Sequence, residues 1–170
     1  MEPRTQVILE FLLIPIVFVG IYIGDVIMAP SWSFELTTDK PVYGLGENVQ
    51  ITVTLKNKGY VSHSFTAAID SPVIVLVEYV SPSNPSVMHS VWYTPYEENE
   101  TTFTLSPNQL LTRTYMWNQT NTQNPAAWNT TYNAGTYYIE AFIPKEKDSS
   151  ITISSNALFR ASVYINVTET

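Results

Sequence analysis

Few side chains in this sequence could bind a metal ion. There are two histidines, His63 and His89, with Met88 beside the second, and there is no cysteine. A copper site on a β-sandwich would use two histidines with a soft ligand, often cysteine. The two histidines fall on separate predicted strands without a ligand spacing. We therefore expect hydrogen-bonded or exposed strand histidines, no metal site and no cofactor.

Acid–base and nucleophilic chemistry also lack a pattern. The acidic run Glu97-Glu98-Asn99-Glu100 lies between two predicted strands and has no turn glycine, which a calcium loop would need. It is predicted to be a solvated loop. The sequence contains no glycine-rich phosphate loop, no G-x-S-x-G motif and no nucleophile–base arrangement. We expect a protein that is not itself an enzyme, although it could belong to an enzyme complex.

Aromatic side chains are the remaining candidates for binding, at 13% of the chain. On alternating strands about half of them should face the core, and we assign Trp92, Trp117 and Tyr137 to it. Tyr93, Tyr96 and Tyr132 could instead form an exposed patch, which would suit a protein partner better than a small ligand.

Composition limits the class of protein. The net charge is −7, and only 14% of the 170 residues are charged, against about 25% in typical domains. Scattered cations on an acidic chain argue against nucleic-acid binding, which needs a basic patch. A surface of neutral polar groups resembles that of surface proteins from thermoacidophilic archaea.

An apolar stretch occupies residues 7–29, before the predicted strands. Its 23 residues are enough to cross a bilayer as a helix, which needs about 20. A cleaved signal peptide is the alternative, but the stretch is long and its best cleavage point precedes Pro30. We predict an uncleaved anchor at residues 1–30 and one extracytoplasmic domain at residues 31–170. Arg4 precedes the apolar stretch and Lys40 follows it, so the positive-inside rule gives little basis for choosing the orientation of the anchor. The sequons described below favour a cytoplasmic amino terminus.

Four residues of the apolar stretch suggest contact with another membrane helix. Gly20 and Gly24 form a GxxxG pair, which permits close helix approach. Glu10 is costly inside a bilayer unless it is paired or reaches the headgroups, and Pro15 can kink the helix. The expected partners are the lipid bilayer and other membrane subunits.

Four N-x-S/T sequons suggest an exterior location, where N-linked glycans would be attached. They begin at Asn99, Asn118, Asn129 and Asn166. The first three fall in predicted turns or loops, and Asn166 falls in a predicted strand.

The rest of the chain is predicted to be β structure. The segment Val49–Leu55 alternates strictly, as a half-buried strand does, and Lys56–Gly59 is predicted to be a turn. Breakers separate the other runs, and no helical period appears. We predict a mainly β protein, an antiparallel sandwich after one transmembrane helix. Its nine predicted strands are 32–36, 49–55, 62–68, 73–80, 87–93, 101–105, 111–117, 136–143 and 159–167.

Two segments resemble known modules. The stretch Thr38-Asp-Lys-Pro-Val-Tyr-Gly-Leu-Gly-Glu-Asn-Val49 resembles the opening of macroglobulin-type and other immunoglobulin-like modules. The motifs at Thr104–Pro107, Tyr115–Gln119 and Asn133–Tyr137 are similar to the family named for a Bacillus intracellular proteinase inhibitor. The resemblance covers nearly the whole domain and implies an immunoglobulin-like fold, with Gly46 and Gly135 at turns and Trp117 and Tyr137 in the core. Protease inhibition is not carried over, because an anchor and sequons do not suit an intracellular inhibitor.

Three hypotheses about function remain open. The first is a non-catalytic accessory subunit of an archaeal membrane complex, for example a respiratory or oxidoreductase complex. The second is a subunit of a surface filament with its apolar segment in the filament core, although no basic-glycine processing site precedes that segment. The third is a surface binding or protease-inhibiting module.

Overall fold

The structure is a computed structural model that describes residues 28–97, 99–122, 134–145 and 157–169. All nine predicted strands are present, and their ends differ from the prediction by at most two residues. The strands are β1 (Trp32–Thr38), β2 (Val42–Gly44), β3 (Val49–Asn57), β4 (His63–Ala67), β5 (Ile74–Val80), β6 (Met88–Tyr93), β7 (Thr101–Leu105), β8 (Leu110–Trp117), β9 (Gly135–Pro144) and β10 (Ala157–Thr168).

The strands form three sheets. One has the order β1-β3-β8, a second has the order β2-β10-β9-β5-β6, and β4 pairs with β7 in a third. The pairs are antiparallel except that β2 runs parallel to β10, with Val42 opposite Asn166. The prediction of a purely antiparallel sandwich is therefore wrong at this edge. The fold is mainly β and compatible with an immunoglobulin-like sandwich.

Strand β2 was not predicted, because three residues are too few to show an alternation. Its position depends on contacts distant in sequence: Leu45 N donates to Thr168 O (3.2 Å) and Asn166 N to Pro41 O (3.0 Å). The predicted turn at residues 56–59 is also partly wrong. Strand β3 continues to Asn57, which is fully buried, because its side chain has backbone partners described below.

The core lies between the three-stranded and five-stranded sheets. On β3, Val49, Ile51, Val53 and Leu55 are almost fully buried and alternate with more exposed residues. The ring of Trp117 on β8 meets that of Tyr137 on β9 at 5.0 Å. Each fully buried aliphatic side chain contributes roughly 1.5–3 kcal/mol of transfer free energy, so this alternation selects the inward face.

The core predictions are confirmed for two of the three aromatic residues. Trp117 is 0% exposed and Tyr137 is 4% exposed, whereas Trp92 is only half-buried and packs against the core from its margin. Trp92 lies on β6, which ends the order of the five-stranded sheet, so one side of this residue lacks a neighbouring strand of that sheet.

The two ends of the sandwich differ. The chain enters β1 at one end, where β3 and β9 finish and β8 and β10 start; we call this the entry end. The β4–β7 sheet packs against it through Phe65, whose ring lies 5.8 Å from that of Trp32 and 5.7 Å from that of Phe159. At the opposite end, the far end, β9 and β3 begin and β10 finishes.

Candidate functional site

The two histidines do not share a site. His63 lies on β4 and His89 on β6, in different sheets. Within the described ranges, no group of three or more His, Cys, Asp or Glu side chains is placed to hold a metal ion. His89 is exposed. The ring of His63 lies 6.1 Å from that of Trp32, and its buried Nε2 has no hydrogen-bond partner among the described residues, contrary to the expected hydrogen bond.

The acidic run forms a loop, as predicted, at its described positions. Glu97, Asn99 and Glu100 are exposed, and Glu98 lies outside the described residues. The loop is tied to the turn after β4, because Glu97 N donates to Asp70 Oδ1 at 2.9 Å and Asp70 N donates to Glu97 O at 3.1 Å.

The predicted exposed tyrosine patch is not present at its described members. Tyr93 and Tyr96 are both half-buried, with ring centroids 6.5 Å apart, and Tyr96 packs against the core. Tyr132 lies outside the described residues.

Three sequon asparagines are described, and all three are exposed. Asn99 lies in the loop before β7, and Asn166 lies within β10. Asn118 directly follows β8, and its Oδ1 accepts a hydrogen bond from Thr120 Oγ1 at 2.6 Å. Asn129 lies outside the described residues. Exposure makes the three side chains accessible, and their glycosylation stays a prediction.

The predicted helix-packing residues Glu10, Pro15, Gly20 and Gly24 lie outside the described residues. Among residues 28–97, 99–122, 134–145 and 157–169, no helix has the length and apolar character needed to cross a membrane.

The entry end carries a surface covered with hydroxyl groups. Ser64 and Thr66 on β4 face Thr104 and Thr102 on β7, with oxygen separations of 2.7 and 2.9 Å, and all four side chains are exposed. These four residues, with the turns at residues 58–61 and 106–110, define what we call the entry surface. Around the hydroxyls, Tyr60 is 77% exposed and Leu110 is 56% exposed, and Lys58 is also exposed.

A buried asparagine holds the entry end together. Asn57 is fully buried, and its Nδ2 donates to Val61 O (2.8 Å) and Leu105 O (2.9 Å). Its Oδ1 accepts from Gly59 N at 2.8 Å. The side chain therefore fixes the turn after β3 and the end of β7 in one position.

A buried glutamine has the equivalent position at the far end. Gln119 Oε1 accepts from Gly46 N at 2.8 Å, and its Nε2 donates to Gly44 O (2.9 Å) and Glu47 O (2.8 Å). Gln119 adopts φ +62°, a left-handed conformation that few residues other than glycine adopt. It joins the turn between β2 and β3 to the end of β8. Gly46, expected at a turn, also has a positive φ of 79°.

A charged network joins the turn between β1 and β2 to Glu47, in the turn that Gln119 holds. Tyr43 Oη donates to Asp39 Oδ1 at 2.6 Å, and Lys40 pairs with Glu47. Burial and then the Asp39 carboxylate raise the pKa of Tyr43 to about 12. The bond from Tyr43 is the largest of the effects that lower the pKa of Asp39, and Lys40 lowers the pKa of Glu47. Asp39 also accepts a hydrogen bond from Gln50 N, and Glu47 accepts one from Gly44 N, so we assign the network a structural role.

A second charged group lies on the outer face of the five-stranded sheet. Glu140 on β9 is 1% exposed, and Arg160 Nε donates to its Oε1 at 3.0 Å. Its buried Oε2 has no hydrogen-bond partner among the described residues. Burial raises the pKa of Glu140 although Arg160 opposes the shift. Burial and the charge of Glu140 also raise the pKa of Glu78.

A cleft of about 570 Å³ opens at the far end of the same sheet. It lies between the turn after β5 and the start of β9, and its lining includes Tyr79, Pro82, Pro85, Gly135, Thr136 and Tyr164. Its volume falls within the roughly 300–1,000 Å³ of ligand pockets. None of the described residues that line it is charged. Gly135 is required there, because its φ is +152° and an added Cβ would lie 2.7 Å from Tyr79 Cε2.

Sequence reasoning missed Asn57, Gln119 and this cleft. From neighbouring residues alone, Asn57 was assigned to a turn and Gln119 to the middle of a sequon. Their partners lie up to 75 residues away, so no nearby sequence pattern could have identified them.

The sequence matches no family model and no curated protein. Solved structures are similar to it only at low identity and with TM-scores below 0.5. The CARDB domain of a Pyrococcus furiosus protein, determined with di-metal ions, is 17% identical, with a TM-score of 0.41 over 83% of this chain and 96% of that one. A Listeria innocua β-glucosidase is 13% identical, with a TM-score of 0.46 over 81% of this chain. A cycloisomaltooligosaccharide glucanotransferase from Paenibacillus sp. is 16% identical, with a TM-score of 0.48 over 84% of this chain.

The chain spans 16% of the length of that glucosidase and 15% of that of the glucanotransferase. Because these TM-scores are below 0.5, no property of these proteins is carried over to this chain.

Proposed function

We propose that this chain is a non-catalytic accessory subunit of a membrane protein complex, with its β-sandwich outside the cell and its apolar amino-terminal segment packed among other membrane helices. The sandwich is proposed to stand close to the outer membrane surface with the entry surface towards the lipid headgroups. A respiratory or oxidoreductase complex of an archaeal envelope remains the class of partner that we favour.

The observation that carries this proposal is the place where the chain enters the sandwich. Strand β1 begins at Trp32, three residues after Ala29, the last residue of the apolar stretch. Three residues reach at most about 10 Å. Lys58 N donates to Ser31 O at 2.6 Å, so the chain is held to the entry end before β1 begins. An anchor at residues 7–29 would therefore keep the entry surface near the bilayer.

The chemistry of the entry surface suits that position. Its hydroxyl groups can exchange hydrogen bonds with headgroups and water at no cost in charge desolvation. Tyrosine is enriched at membrane interfaces, and lysine extends its ammonium towards polar groups while its stem contacts apolar ones. Tyr60 and Lys58 lie in the same turn of this surface, and Leu110, from the other turn, is exposed as well.

The first experiment tests the partner. The full chain with a carboxy-terminal tag is extracted from membranes of its own host in a mild detergent, and copurifying proteins are identified by mass spectrometry. We expect larger membrane proteins to copurify, and we expect Gly20→Leu with Gly24→Leu to reduce their recovery. The control is Ile21→Leu, which changes the same segment without filling the GxxxG surface. Recovery of a lone chain, or equal recovery with the double variant, would contradict the proposal.

The second experiment tests the placement, and it uses the absence of cysteine from the sequence. A single cysteine at an exposed position carries an environment-sensitive fluorophore, either Thr66→Cys on the entry surface or Ser86→Cys in the turn after β5 at the far end. In membranes we expect a blue-shifted emission at position 66 and a water-like emission at position 86. Labelling of both positions by an impermeant maleimide on intact cells reports an exterior domain. Protection of both positions from that reagent would contradict it.

A further inference from the structure

The outer face of β10 places a tyrosine beside a sequon. Side chains alternate along a strand, so Tyr164, Asn166 and Thr168 share one face. Ile165 and Val167, which lie between them, are 1% and 3% exposed and face the core. Tyr164 is 55% exposed, and Asn166 and Thr168 are also exposed. The acceptor asparagine and the sequon threonine are thus aligned with an aromatic ring two residues before the asparagine.

The side chain of Asn166 is held in place. Its Oδ1 accepts a hydrogen bond from Thr136 Oγ1 at 2.9 Å across the β9–β10 pair. Its backbone is fixed as well, because β10 pairs with β9 on one side and with β2 on the other. The amide nitrogen, which is the atom that would carry a glycan, is therefore presented from a rigid position.

The far-end cleft begins directly beside this position. Tyr164, two residues before Asn166, and Thr136, its hydrogen-bond partner, both line the cleft. The ring of Tyr164 is supported from one side by that of Tyr138, with centroids 5.0 Å apart. Pro82 and Pro85 supply apolar surface on the opposite wall, and Ser81 supplies a hydroxyl.

These groups fit a neutral saccharide. An aromatic ring and proline rings can pack against the C–H faces of a sugar, and hydroxyl side chains can bond its hydroxyl groups. None of the described residues that line the cleft is charged, so a neutral sugar bound there would not bury an unpaired charge. The saccharide need not come from solution, because the sequon can attach one at the edge of the cleft.

We propose that Asn166 carries an N-linked glycan whose first sugars fold back over Tyr164 into the far-end cleft. The proposal rests on the proposed function in one respect, the exterior location of the domain. The two other described sequons differ: two residues before Asn99 and Asn118 stand Glu97 and Met116. Neither offers an aromatic ring to a sugar, so glycans at those positions would extend into solvent.

The test uses the full chain purified from a glycosylating host, with mass spectrometry of the peptides that contain Asn99, Asn118 and Asn166. Mild periodate then oxidises the vicinal diols of accessible sugars, and the rate is followed at each site for those sugars that carry a vicinal diol. We expect Asn166 to be occupied and its glycan to react about tenfold more slowly than the glycan at Asn118, the factor that a contact of roughly 1.4 kcal/mol gives. Tyr164→Ser should remove this protection, and Tyr164→Phe should keep it.

The outcomes separate this inference from the proposed function. Occupancy at Asn99 or Asn118 without occupancy at Asn166 overturns the inference and leaves the exterior location standing. Equal periodate rates at all occupied sites, or protection that survives Tyr164→Ser, also overturn it. No glycan at any of the three sites contradicts the inference, and in that case the maleimide labelling described above decides the location independently. A Tyr164 variant that loses the far-UV circular dichroism of the parent is replaced by Pro85→Ser, on the opposite wall, for which the same loss of protection is expected.

Discussion

Replacing Gln119 separates the contribution of its side chain from that of its backbone conformation. Alanine removes the three hydrogen bonds that Gln119 makes to the turn between β2 and β3 and keeps a Cβ at φ +62°. Glycine removes the same bonds and also relieves the left-handed conformation. The two variants therefore differ only in the backbone contribution.

The magnitudes follow from these contacts. An intramolecular hydrogen bond contributes about 0.5–1.5 kcal/mol net, so three bonds give about 3 kcal/mol for Gln119→Ala. A left-handed residue with a Cβ costs about 1–2 kcal/mol, and glycine loses about 0.5–1 kcal/mol more than alanine through unfolded-state entropy. We expect Gln119→Gly to be about 0.5–1 kcal/mol more stable than Gln119→Ala.

The assay is urea denaturation of the full chain in detergent, followed by tryptophan fluorescence. Trp117 lies two residues from Gln119, and its Nε1 donates to Thr120 O at 3.2 Å, so its emission reports on this region. Gln109 is the matched control, because it is exposed and accepts one bond, from Ser106 N at 2.8 Å. There alanine should cost less than about 1.5 kcal/mol, and glycine should be less stable than alanine. A Gln119→Ala variant within about 0.5 kcal/mol of the parent, or less stable glycine at position 119, would refute the reasoning.

Three further predictions concern other positions. Asn57→Ala should lower the free energy of unfolding by about 3 kcal/mol, and Asn57→Asp should do so more at pH 7 than at acid pH, because a carboxylate cannot donate to the two carbonyls; thermal melts at both pH values check this. The raised pKa of Glu140 means that the folded state binds more protons than the unfolded state above pH 4.5, so stability falls as pH rises through this window. In urea titrations at a series of pH values, Glu140→Gln should make the free energy of unfolding fall less as pH rises, and Arg160→Gln should make it fall more. The same pH dependence in the parent and both variants would count against the raised pKa of Glu140. Gly135→Ala should cost about 2–4 kcal/mol, because its Cβ would meet the ring of Tyr79 and because alanine is strained at this positive φ; an unchanged melting temperature would be inconsistent with that contact.

Much of the fold was predictable because the strands carry local patterns. The alternation in β3 identifies its buried face without reference to any other strand, and it ends near the polar turn that follows. Trp117 and Tyr137 were recognised as core residues because large aromatic side chains on alternating strands gain most from burial. Trp92 is only half-buried because its strand lies at the edge of a sheet. The order of strands in a sheet cannot be predicted from the sequence of one strand.

The rest depends on contacts between distant segments. Strand β2 forms because the last residues of β10 lie beside it, and three residues carry no periodicity of their own. Glu140 occupies a position where alternation predicts an outward, solvated side chain, and β9 does point it outward. It is nevertheless buried, in a part of this face where Ile74, Leu76 and Phe142 are buried as well. Where part of a sheet is buried on both faces, a prediction that assumes one solvated face fails.

Two other sets of predictions concern the amino-terminal segment and the two described loop sequons. Residues 10, 15, 20 and 24 lie outside the described residues, so their role in helix packing stays a prediction. Asn99 and Asn118 are exposed, as glycosylation requires. Local sequence predicted their accessibility correctly, because polar residues next to breakers form surface loops.

The parallel pairing of β2 with β10 has a mechanical consequence. Trp32 enters at one end of the sandwich and Thr168 leaves at the other, so a force that pulls them apart slides β2 and β10 past each other along their length. The backbone bonds at Pro41, Leu45, Asn166 and Thr168 then lie across the direction of pull and share the load. An antiparallel hairpin pulled at its open end would lose its bonds one at a time. A pull between Trp32 and Thr168 would therefore load the β2–β10 pair in shear, together with the β1–β3 and β9–β10 pairs, and would not open any of them one bond at a time.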